Sequence, residues 1–395
     1  MKDKAKLLLK PDSPGFSWLT RALGPRHETL QLSDEVWTTI EPLLEPHGIT
    51  GLLFDHIQRG TIEAPDRIQF DLAARLTRWS EATRDWPDLA CLALDAFRQR
   101  GIPHLVLKGW ALIPLVYGGN RELRETSDLD LLIPRANLAE ADTVLRETGF
   151  AIPPQAEVWP GFAHRFSHEA QYVRRCGKRR PMGIDLHWQV TGSPQLWPLV
   201  GHDWFARARE VQFNGHAISV PATEDLFLHL CVHQHLDHAR DPMAPLFRQV
   251  DLLRVAKHPD FSWKTLLERA RSNSLTGSLK SGIEALHALW PESVPAEVLQ
   301  EIKLLPVSQA EKEALQDNLS PISPLRPSPR PRWIPGWKNR LKYFCGKLFP
   351  SGANLRAVHH LPPGSSYARG LLARYGQRII ETLRAPCLCN NRPSL

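Results

Sequence analysis

Two aspartates separated by a single residue are the first groups in this sequence that could bind a metal ion. Asp128 and Asp130 are each followed by a leucine. Side chains on a β-strand alternate between its faces, so the carboxylates would share one face and the leucines would enter a core. Two carboxylates on one face repel each other, and burying them without a counter-ion is costly. Oxygen ligands suit Mg²⁺ or Mn²⁺, so this stretch predicts a divalent metal site.

A third carboxylate lies in a second alternating stretch, at residues 183–188. The alternation puts Asp185 and His187 on one face of a predicted strand. We therefore expect Asp185 to complete the metal site and His187 to orient an aspartate or to contact a nucleotide. The simpler alternative is that Asp-x-Asp marks a solvated strand edge and that His187 is a packed, hydrogen-bonded histidine.

Three segments in a fixed order carry a resemblance to a known family. A predicted apolar strand at 102–107 leads into Leu-Lys-Gly-Trp-Ala-Leu at 107–112. Arg-Glu-Thr-Ser-Asp-Leu-Asp-Leu-Leu follows at 124–132, and Asp-Leu-His at 185–187. This order resembles the bacterial family of uncharacterised nucleotidyltransferases, within the superfamily related to DNA polymerase beta. The family pattern is Leu-Lys-Gly-x-Ala-Leu, then Arg with Asp-x-Asp beginning four residues later, then Asp-x-His.

The resemblance implies nucleotidyl transfer assisted by two metal ions. One ion would sit on the triphosphate of the incoming nucleotide, and the other would lower the pKa of the acceptor hydroxyl. In this sequence Asp128 and Asp130 would bridge both ions, while Asp185 would bind the acceptor-side ion and take the proton. These three residues are the predicted catalytic and metal-binding residues, with Mg²⁺ or Mn²⁺ as cofactor and an NTP as substrate.

The turn before the Asp-x-Asp strand departs from the superfamily. Lys108 and Gly109 stand where the superfamily has Gly-Ser or Gly-Gly, and Trp110 follows. The hydroxyl is missing, but Gly109 permits close approach of a phosphate and Lys108 can supply positive charge. The simpler alternative for Lys108 is an exposed lysine at a strand end. The simpler alternative for Arg124 is a surface arginine that does not contact nucleotide. The predicted nucleotide-binding residues are Lys108, Gly109, Arg124, Ser127 and His187.

Composition fits a globular protein of two or three domains. The chain has 395 residues, and 42% of them are hydrophobic. It contains no run of about 18 apolar residues, so no membrane-spanning helix is expected. Six cysteines are scattered without the spacing of a zinc site, which favours a reducing, cytoplasmic compartment.

The net charge of +7 is concentrated near the C-terminal end. Residues 318–380 contain 11 Lys or Arg residues and no Asp or Glu. Removing those 11 positive charges from the net +7 leaves −4 on the rest of the chain. The basic character therefore belongs to the tail and does not mark the core as a nucleic-acid-binding module.

Periodicity predicts a mixture of helices and strands. Together with the family resemblance it implies an α+β fold: a nucleotidyltransferase core with a small mixed sheet, flanked by N-terminal helices and an all-helical C-terminal lobe. The predicted domains are a mostly helical region at 1–100, the catalytic core at 101–192, the helical lobe at 193–318, and a proline-rich linker with a basic tail at 319–395.

The predicted elements follow from apolar spacing and from glycine or proline at their ends. Residues 1–30 are expected to be irregular and 321–335 extended. Helices are expected through most of 33–100. Strands are predicted at 102–107, 128–133, 162–173 and 183–190. Later helices are predicted at 137–148, 226–238, 246–256, 263–272 and 277–289.

The basic tail contains a predicted amphipathic helix with lysine and arginine beside an apolar stripe. The stripe consists of Trp337, Leu341, Phe344 and Leu348. We favour docking of this stripe on the protein's own core. The alternatives are an interfacial helix on an anionic membrane, through residues 333–350, and binding of RNA or another polyanion.

Two further groups are ambiguous. Four histidines between residues 229 and 238 suggest zinc, but no standard ligand set is complete, so we favour packing or nucleotide-facing roles. Arg248 and Asp251 lie three positions apart on a predicted helix. They would form an intrahelical pair or help to close a nucleotide cleft.

The sequence therefore predicts a cytoplasmic, Mg-dependent nucleotidyltransferase that moves an NMP from an NTP such as ATP to a hydroxyl on a small molecule, a protein or an RNA. The alternative is a catalytically degenerate module that binds a nucleotide or a partner and associates with membranes through its basic tail. The altered Gly109-Trp110 turn motivates that alternative, and the three retained carboxylates argue against it.

Overall fold

Two compact units make up the described part of the chain. The computed structural model describes residues 13–25, 28–197, 201, 203–241, 245–319 and 333–384. One unit contains Met1–Ala151 and Gln171–Leu319, and the other contains Ile152–Ala170 and Ser320–Leu395. The predicted domain limits at residues 100 and 192 both fall inside the first unit. The predicted linker lies outside the described residues as far as residue 332.

Helices precede the central sheet in the first unit, as expected for residues 33–100. They are α1 Pro14–Ala22, α2 Asp34–His47, α3 Thr50–Gln58, α4 Asp66–Ala82 and α5 Trp86–Gln99. A short strand β1, Leu30–Gln31, pairs in parallel with β2, Ile62–Glu63. The expectation of irregular chain before residue 30 is wrong for α1. Ser13 Oγ accepts a hydrogen bond from Phe16 N, and Pro14 occupies the first helical position, so both residues start a helix.

The N-terminal helices are tied to the loop that precedes the predicted metal site. A Cβ atom at Gly51, in α3, would lie 1.7 Å from the carbonyl oxygen of Glu122. Only glycine permits this approach of helix and loop. The N-terminal region therefore helps to position the chain that enters the Asp-x-Asp strand.

A four-stranded sheet carries the predicted site. Its strands are β3 Leu105–Val106, β4 Asp128–Leu132, β5 Glu169–Cys176 and β6 Arg179–His187. The helices between them in the chain are α6 Lys108–Val116, α7 Leu138–Glu147 and α8 Phe162–Phe166, and α8 belongs to the second unit. The strand order is β3-β4-β6-β5. β4 pairs antiparallel with β3 and parallel with β6, which confirms the predicted small mixed sheet.

Three predicted strands have limits in the structure that differ by more than one residue. The strand predicted at 183–190 lies earlier in the chain, because β6 spans Arg179–His187. The apolar stretch 102–107 forms only the two-residue strand β3. The stretch 162–173 begins with helix α8, and its strand begins at Glu169. Aromatic residues favour strands, but Phe162 and Phe166 lie one helical turn apart, with ring centroids 4.9 Å apart. The two rings therefore pack on one face of a helix, and the side-chain alternation that we predicted for a strand does not occur there.

A β-hairpin precedes the helices of the C-terminal lobe. Strands β7, Arg209–Phe213, and β8, His216–Val220, are joined by Asn214 and Gly215, which both have positive φ as in a tight hairpin turn. The sequence analysis did not predict this hairpin. A π-helical turn, His233–Asp237, follows the first helix of the lobe. The lobe helices are α9 Thr223–Val232, α10 Leu246–Ala256, α11 Trp263–Ser272, α12 Thr276–Leu289, α13 Ala296–Leu304 and α14 Gln309–Leu319.

The second unit combines α8 with three helices of the tail. These are α15 Trp337–Leu348, α16 Gly352–Val358 and α17 Tyr367–Arg384. Trp159 Nε1 donates to Phe349 O at 2.7 Å, and Ser351 N donates to Val158 O at 2.8 Å. The predicted docking of the apolar stripe is contradicted, because all four of its side chains are exposed. None of the described helices is both long and apolar enough to cross a membrane.

Candidate active site

Strands β4 and β6 bring the three predicted metal-binding aspartates to one face of the sheet. In their parallel register Asp130 pairs with Asp185, and Asp128 pairs with Gly183. Neighbouring strands lie about 4.8 Å apart, so paired side chains on one face are neighbours. Leu129 and Leu131, which alternate with the aspartates of β4, are fully buried on the other face. The alternation expected from the sequence therefore holds in both strands.

Asp130 is the centre of the site's polar contacts. Its Oδ1 lies 2.7 Å from Lys108 Nζ and 3.0 Å from His187 Nε2. Among the described residues, no hydrogen bond or ion pair reaches Oδ2. Burial opposes ionisation of this carboxyl, but Lys108 and His187 outweigh burial and hold the pKa of Asp130 well below its ordinary value. Asp130 is thus a buried, ionised carboxylate with one oxygen available to a ligand.

Asp128 and Asp185 differ from Asp130 in environment. Burial raises the pKa of Asp128, and the neighbouring Asp130 carboxylate raises it further, against a hydrogen bond from Ser127. Asp185 is partly exposed, and Gln171 Nε2 lies 3.4 Å from its Oδ1. Repulsion between Asp128 and Asp130 is the electrostatic condition that a bound cation relieves.

The Lys108 turn is held in an unusual conformation beside β4. Leu107 N donates to Asp130 O at 2.9 Å, which extends the pairing of β3 with β4. Lys108 then has a φ of 49°, in the left-handed region that favours glycine, and starts α6. Leu107 gives no side-chain cap to the helix, so the first N–H groups of α6 are not occupied by a cap. Strained backbone of this kind is concentrated at functional sites.

Gly109 and Trp110 are both packed against neighbouring elements. A Cβ atom at Gly109 would lie 2.4 Å from Thr126 Cγ2, so glycine is needed for close packing against the loop before β4. Trp110 is buried, and its ring lies edge-on to Phe213 of the hairpin with centroids 5.4 Å apart. The tryptophan therefore serves core packing.

Arg124 is anchored to the helical lobe. Its Nε lies 3.0 and 2.9 Å from the two carboxylate oxygens of Asp251, and its guanidinium carbon lies 4.1 Å from the centroid of the Phe247 ring. Tyr117 Oη donates to Asp251 Oδ1 at 2.6 Å. The guanidinium also borders the Lys108–Gly109 turn, since a Cβ atom at Gly109 would lie 3.7 Å from Arg124 Nη1.

This anchoring replaces the intrahelical pair expected in α10. Asp251 bonds Arg124 and Tyr117, whereas Arg248 Nη1 lies 3.7 Å from Asp241 Oδ2. The sequence analysis missed the partner of Asp251 because Arg124 is distant in sequence. A charged residue inside the apolar run 250–253 was the signal that a buried partner exists.

His229 is another buried polar residue near the site. It is 1% exposed, and neither ring nitrogen has a hydrogen-bond partner among the described residues. Burial, with the nearby charges of Lys108 and His233, holds the pKa of His229 well below its ordinary value. His229 is therefore a neutral histidine.

Three of the solved structures that resemble this chain illustrate the level of similarity, and all three have low identity. A solution structure of the antibiotic-resistance factor ANT(2'')-Ia is 15% identical, with a TM-score of 0.33, over 52% of this chain and 96% of that chain. A crystal structure of ANT(2'')-Ia in complex with adenylyl-2''-tobramycin is 14% identical, with a TM-score of 0.32, over 48% and 97%. An antigenic nucleotidyltransferase-like protein from Paracoccidioides brasiliensis is 14% identical, with a TM-score of 0.35, over 54% and 91%.

Comparison at the sequence level is more direct. No curated protein matches the chain. The family described as uncharacterised nucleotidyltransferase matches residues 33–291, about two thirds of the 395 residues. This range contains every residue of the candidate site, from Lys108 to His187, together with the α10 anchor. The chain therefore belongs to the uncharacterised nucleotidyltransferase family.

Proposed function

We propose that this protein transfers a nucleoside monophosphate from an NTP to a hydroxyl group of an acceptor. The observation that carries the proposal is the parallel pairing of Asp130 with Asp185, with Asp128 two residues away on the same strand face. Three carboxylates at neighbouring strand positions are a donor set that a hard divalent cation prefers. Membership of the nucleotidyltransferase family supports the same activity.

The carboxylates of this face are of the ligand type that Mg²⁺ or Mn²⁺ prefers. Burial and the charge of Asp130 together raise the pKa of Asp128, and a cation between the carboxylates would relieve that cost. Oδ2 of Asp130 has no donor among the described residues, and Asp185 is partly exposed. A bound divalent ion would supply positive charge for the phosphates and lower the pKa of the acceptor hydroxyl.

The residues around the proposed metal site would have separate roles in catalysis. We assign His187 to hold Asp130 in one orientation, because its Nε2 lies 3.0 Å from Oδ1. We assign Asp185 to accept the proton of the acceptor hydroxyl, because partial exposure leaves it within reach of an incoming molecule. Lys108 and Gly109 would border the phosphates at the uncapped start of α6, where backbone N–H groups favour an anion.

The acceptor classes that we propose are a small molecule, a protein side chain and an RNA end. ATP is the first nucleotide to test among the NTPs. We propose a cytoplasmic setting, which fits the free thiols of Cys91 and Cys231, because a reducing compartment keeps thiols unpaired.

One contact favours the alternative of a degenerate, nucleotide-binding module. The Lys108 ammonium forms an ion pair with Asp130 Oδ1 and so neutralises charge that a bound metal ion would otherwise neutralise. A protein that no longer needs metal would keep such an internal counter-ion. Metal-independent binding of nucleotide without turnover would identify this alternative.

The discriminating experiment is a transfer assay with purified protein. Each NTP, radiolabelled at the α-phosphate, is incubated with Mg²⁺, alone and with a cell extract. The test variant is Asp128→Ala/Asp130→Ala. The matched control is Glu140→Ala/Glu284→Ala, which removes the same charge from exposed helix positions.

Label that reaches an acceptor with the wild type and the control, but not with the test variant, supports nucleotidyl transfer. Nuclease, protease and thin-layer separation of the labelled product then assign the acceptor class. Equal labelling by the test variant, with its fold checked by circular dichroism, would refute the role of the Asp-x-Asp pair.

A further inference from the structure

Helix α15 is held on its own unit by one narrow face. Tyr343 is buried, and its ring stacks on Phe162 with centroids 5.7 Å apart. Gly346 lies one turn further on the same face. A Cβ atom there would lie 2.5 Å from Phe162 Cε2, so glycine lets the helix approach α8 closely. This face attaches α15 to α8.

The opposite face of α15 is apolar and exposed. Trp337 is 69% exposed, Leu341 54%, Phe344 37% and Leu348 45%. At about 100° per residue these positions fall within one stripe, roughly opposite Tyr343 and Gly346. Phe349 continues the stripe beyond the helix end and is 51% exposed. Exposed apolar side chains scattered singly are ordinary, whereas a contiguous stripe of this kind marks an interaction surface.

Basic residues border the apolar stripe on both sides. Lys338 and Lys342 lie along one edge and Arg340 lies along the other, all of them exposed. Lys347 is also exposed but lies toward the Tyr343 face, with its Nζ 5.6 Å from the centroid of the Phe162 ring. No acidic residue occurs between positions 318 and 380 to offset them. The partner of this surface must therefore offer an apolar interior beneath a layer of negative charge.

We infer that α15 lies on the surface of an anionic lipid membrane, with the apolar stripe inserted among the acyl chains. Helices with this division of residues bind in the plane of the interface, where tryptophan is also favoured. A second copy of the chain would oppose basic rows to basic rows, which is unfavourable. A polyanion such as RNA would engage the basic rows but would leave Leu341 and Leu348 in water. The inference concerns the second unit alone and does not depend on the proposed transfer activity.

The test is flotation of the full-length protein with vesicles. One set contains phosphatidylcholine only, and the other contains equal parts of phosphatidylcholine and phosphatidylglycerol. The test variant is Leu341→Ser/Phe344→Ser. The matched control is Phe70→Ser/Leu304→Ser, which removes the same two residue types from more exposed positions of the first unit. A charge variant, Lys338→Gln/Lys342→Gln, tests one basic edge separately.

We expect the wild type and the matched control to float with the anionic vesicles only. The stripe variant should lose at least about tenfold in vesicle partitioning. The charge variant should bind more weakly at low salt, and its difference from the wild type should shrink as the salt concentration rises. Thermal unfolding should be unchanged in the stripe and charge variants, since none of the altered side chains is buried.

Absence of wild-type flotation with anionic vesicles would overturn the inference. Undiminished flotation of the stripe variant would also overturn it, because it would reduce the interaction to charge attraction. Binding of single-stranded RNA that is lost in the stripe variant, without vesicle binding, would assign the surface to RNA instead.

Discussion

Lys108 and Asp130 form a largely buried ion pair, with 2.7 Å between Nζ and Oδ1. The lysine reaches the carboxylate from a left-handed backbone conformation at the start of α6. His187 Nε2 approaches the same oxygen. The protein thus carries an internal counter-ion at the carboxylate that a metal ion would share, and this relationship sets the behaviour of the site without metal.

Replacement of Lys108 by methionine should make the stability of the protein depend on divalent metal. Removal of one partner from a buried ion pair costs roughly 3 kcal/mol, because the other charge is left uncompensated. Mg²⁺ or Mn²⁺ should replace the missing ammonium. Thermal unfolding with and without Mg²⁺ should therefore show a larger metal-induced rise in Tm for Lys108→Met than for the wild type. The control is Lys178→Met, at an exposed turn, and an equal rise in all three proteins would contradict the prediction.

The Arg124–Asp251 pair should contribute more to stability than to nucleotide affinity. Asp251→Asn leaves the buried Arg124 charge unpaired and should lower the free energy of unfolding by about 3 to 5 kcal/mol. Tyr117→Phe removes one hydrogen bond and should cost only about 1 kcal/mol. Urea denaturation measures both, with exposed Asp66→Asn as the control.

Kinetics separate this structural role from the predicted contact of Arg124 with nucleotide. If Arg124 only anchors the loop, Arg124→Gln should reduce stability while leaving the KM for NTP of the folded fraction near the wild-type value. A large rise in KM without loss of stability would instead establish a phosphate contact.

The packing of Gly109 against Thr126 should be detectable as a coupled pair. Gly109→Ala should destabilise the protein by roughly 1 to 3 kcal/mol, because the added methyl group meets Thr126 Cγ2. Thr126→Ser removes that Cγ2 while it keeps the hydroxyl. The double variant should therefore recover part of the stability lost in Gly109→Ala. Additive losses in denaturant unfolding would show that the clash is relieved elsewhere.

Acid should destabilise the first unit through His47. Leu246 N donates to His47 Nδ1 at 2.9 Å, so this nitrogen must be unprotonated. Burial lowers the pKa of His47 from 6.5 to about 4. The unfolded chain therefore binds a proton near pH 6.5 that the folded protein takes up only near pH 4. The stabilisation is complete above the unfolded pKa and is lost as pH falls toward the folded value.

The magnitude of this effect is on the order of 2 to 3 kcal/mol. His47→Gln should flatten the pH dependence of unfolding free energy between pH 6.5 and 4. His233, whose pKa burial also lowers to about 4, adds to the acid sensitivity and leaves a residual slope in the variant. His360→Gln, at an exposed position, should keep the full wild-type slope.

The sequence predicted the elements whose apolar spacing is regular. Helices α10 and α11 have the predicted limits, and Asp128 and Asp130 share a strand face. These features depend on local periodicity alone. The expectation that Asp185 joins the other two aspartates came from motif order and the family resemblance, since spacing within one strand says nothing about its neighbour. The pairing of Asp185 with Asp130 was not predicted.

Other features depend on contacts that no local pattern encodes. The salt bridge from Arg124 to Asp251 joins residues that are distant in sequence, and the left-handed φ of Lys108 violates an ordinary residue preference. The apolar stripe of α15 was correctly recognised, but its expected docking was wrong. Periodicity identifies side chains that share a face, but Tyr343 and Gly346, on the opposite face, hold the helix instead.

The parallel pairing of β4 with β6 has a consequence for the order of events in folding. Parallel neighbours require a long crossover, so Asp130 meets Asp185 only after the intervening chain has been made and packed. A partly synthesised or unfolded chain therefore has the Asp-x-Asp pair but lacks the complete donor set. A metal ion that binds only the completed sheet would stabilise the native state by mass action. A bound ion would then indicate that β4 and β6 have paired.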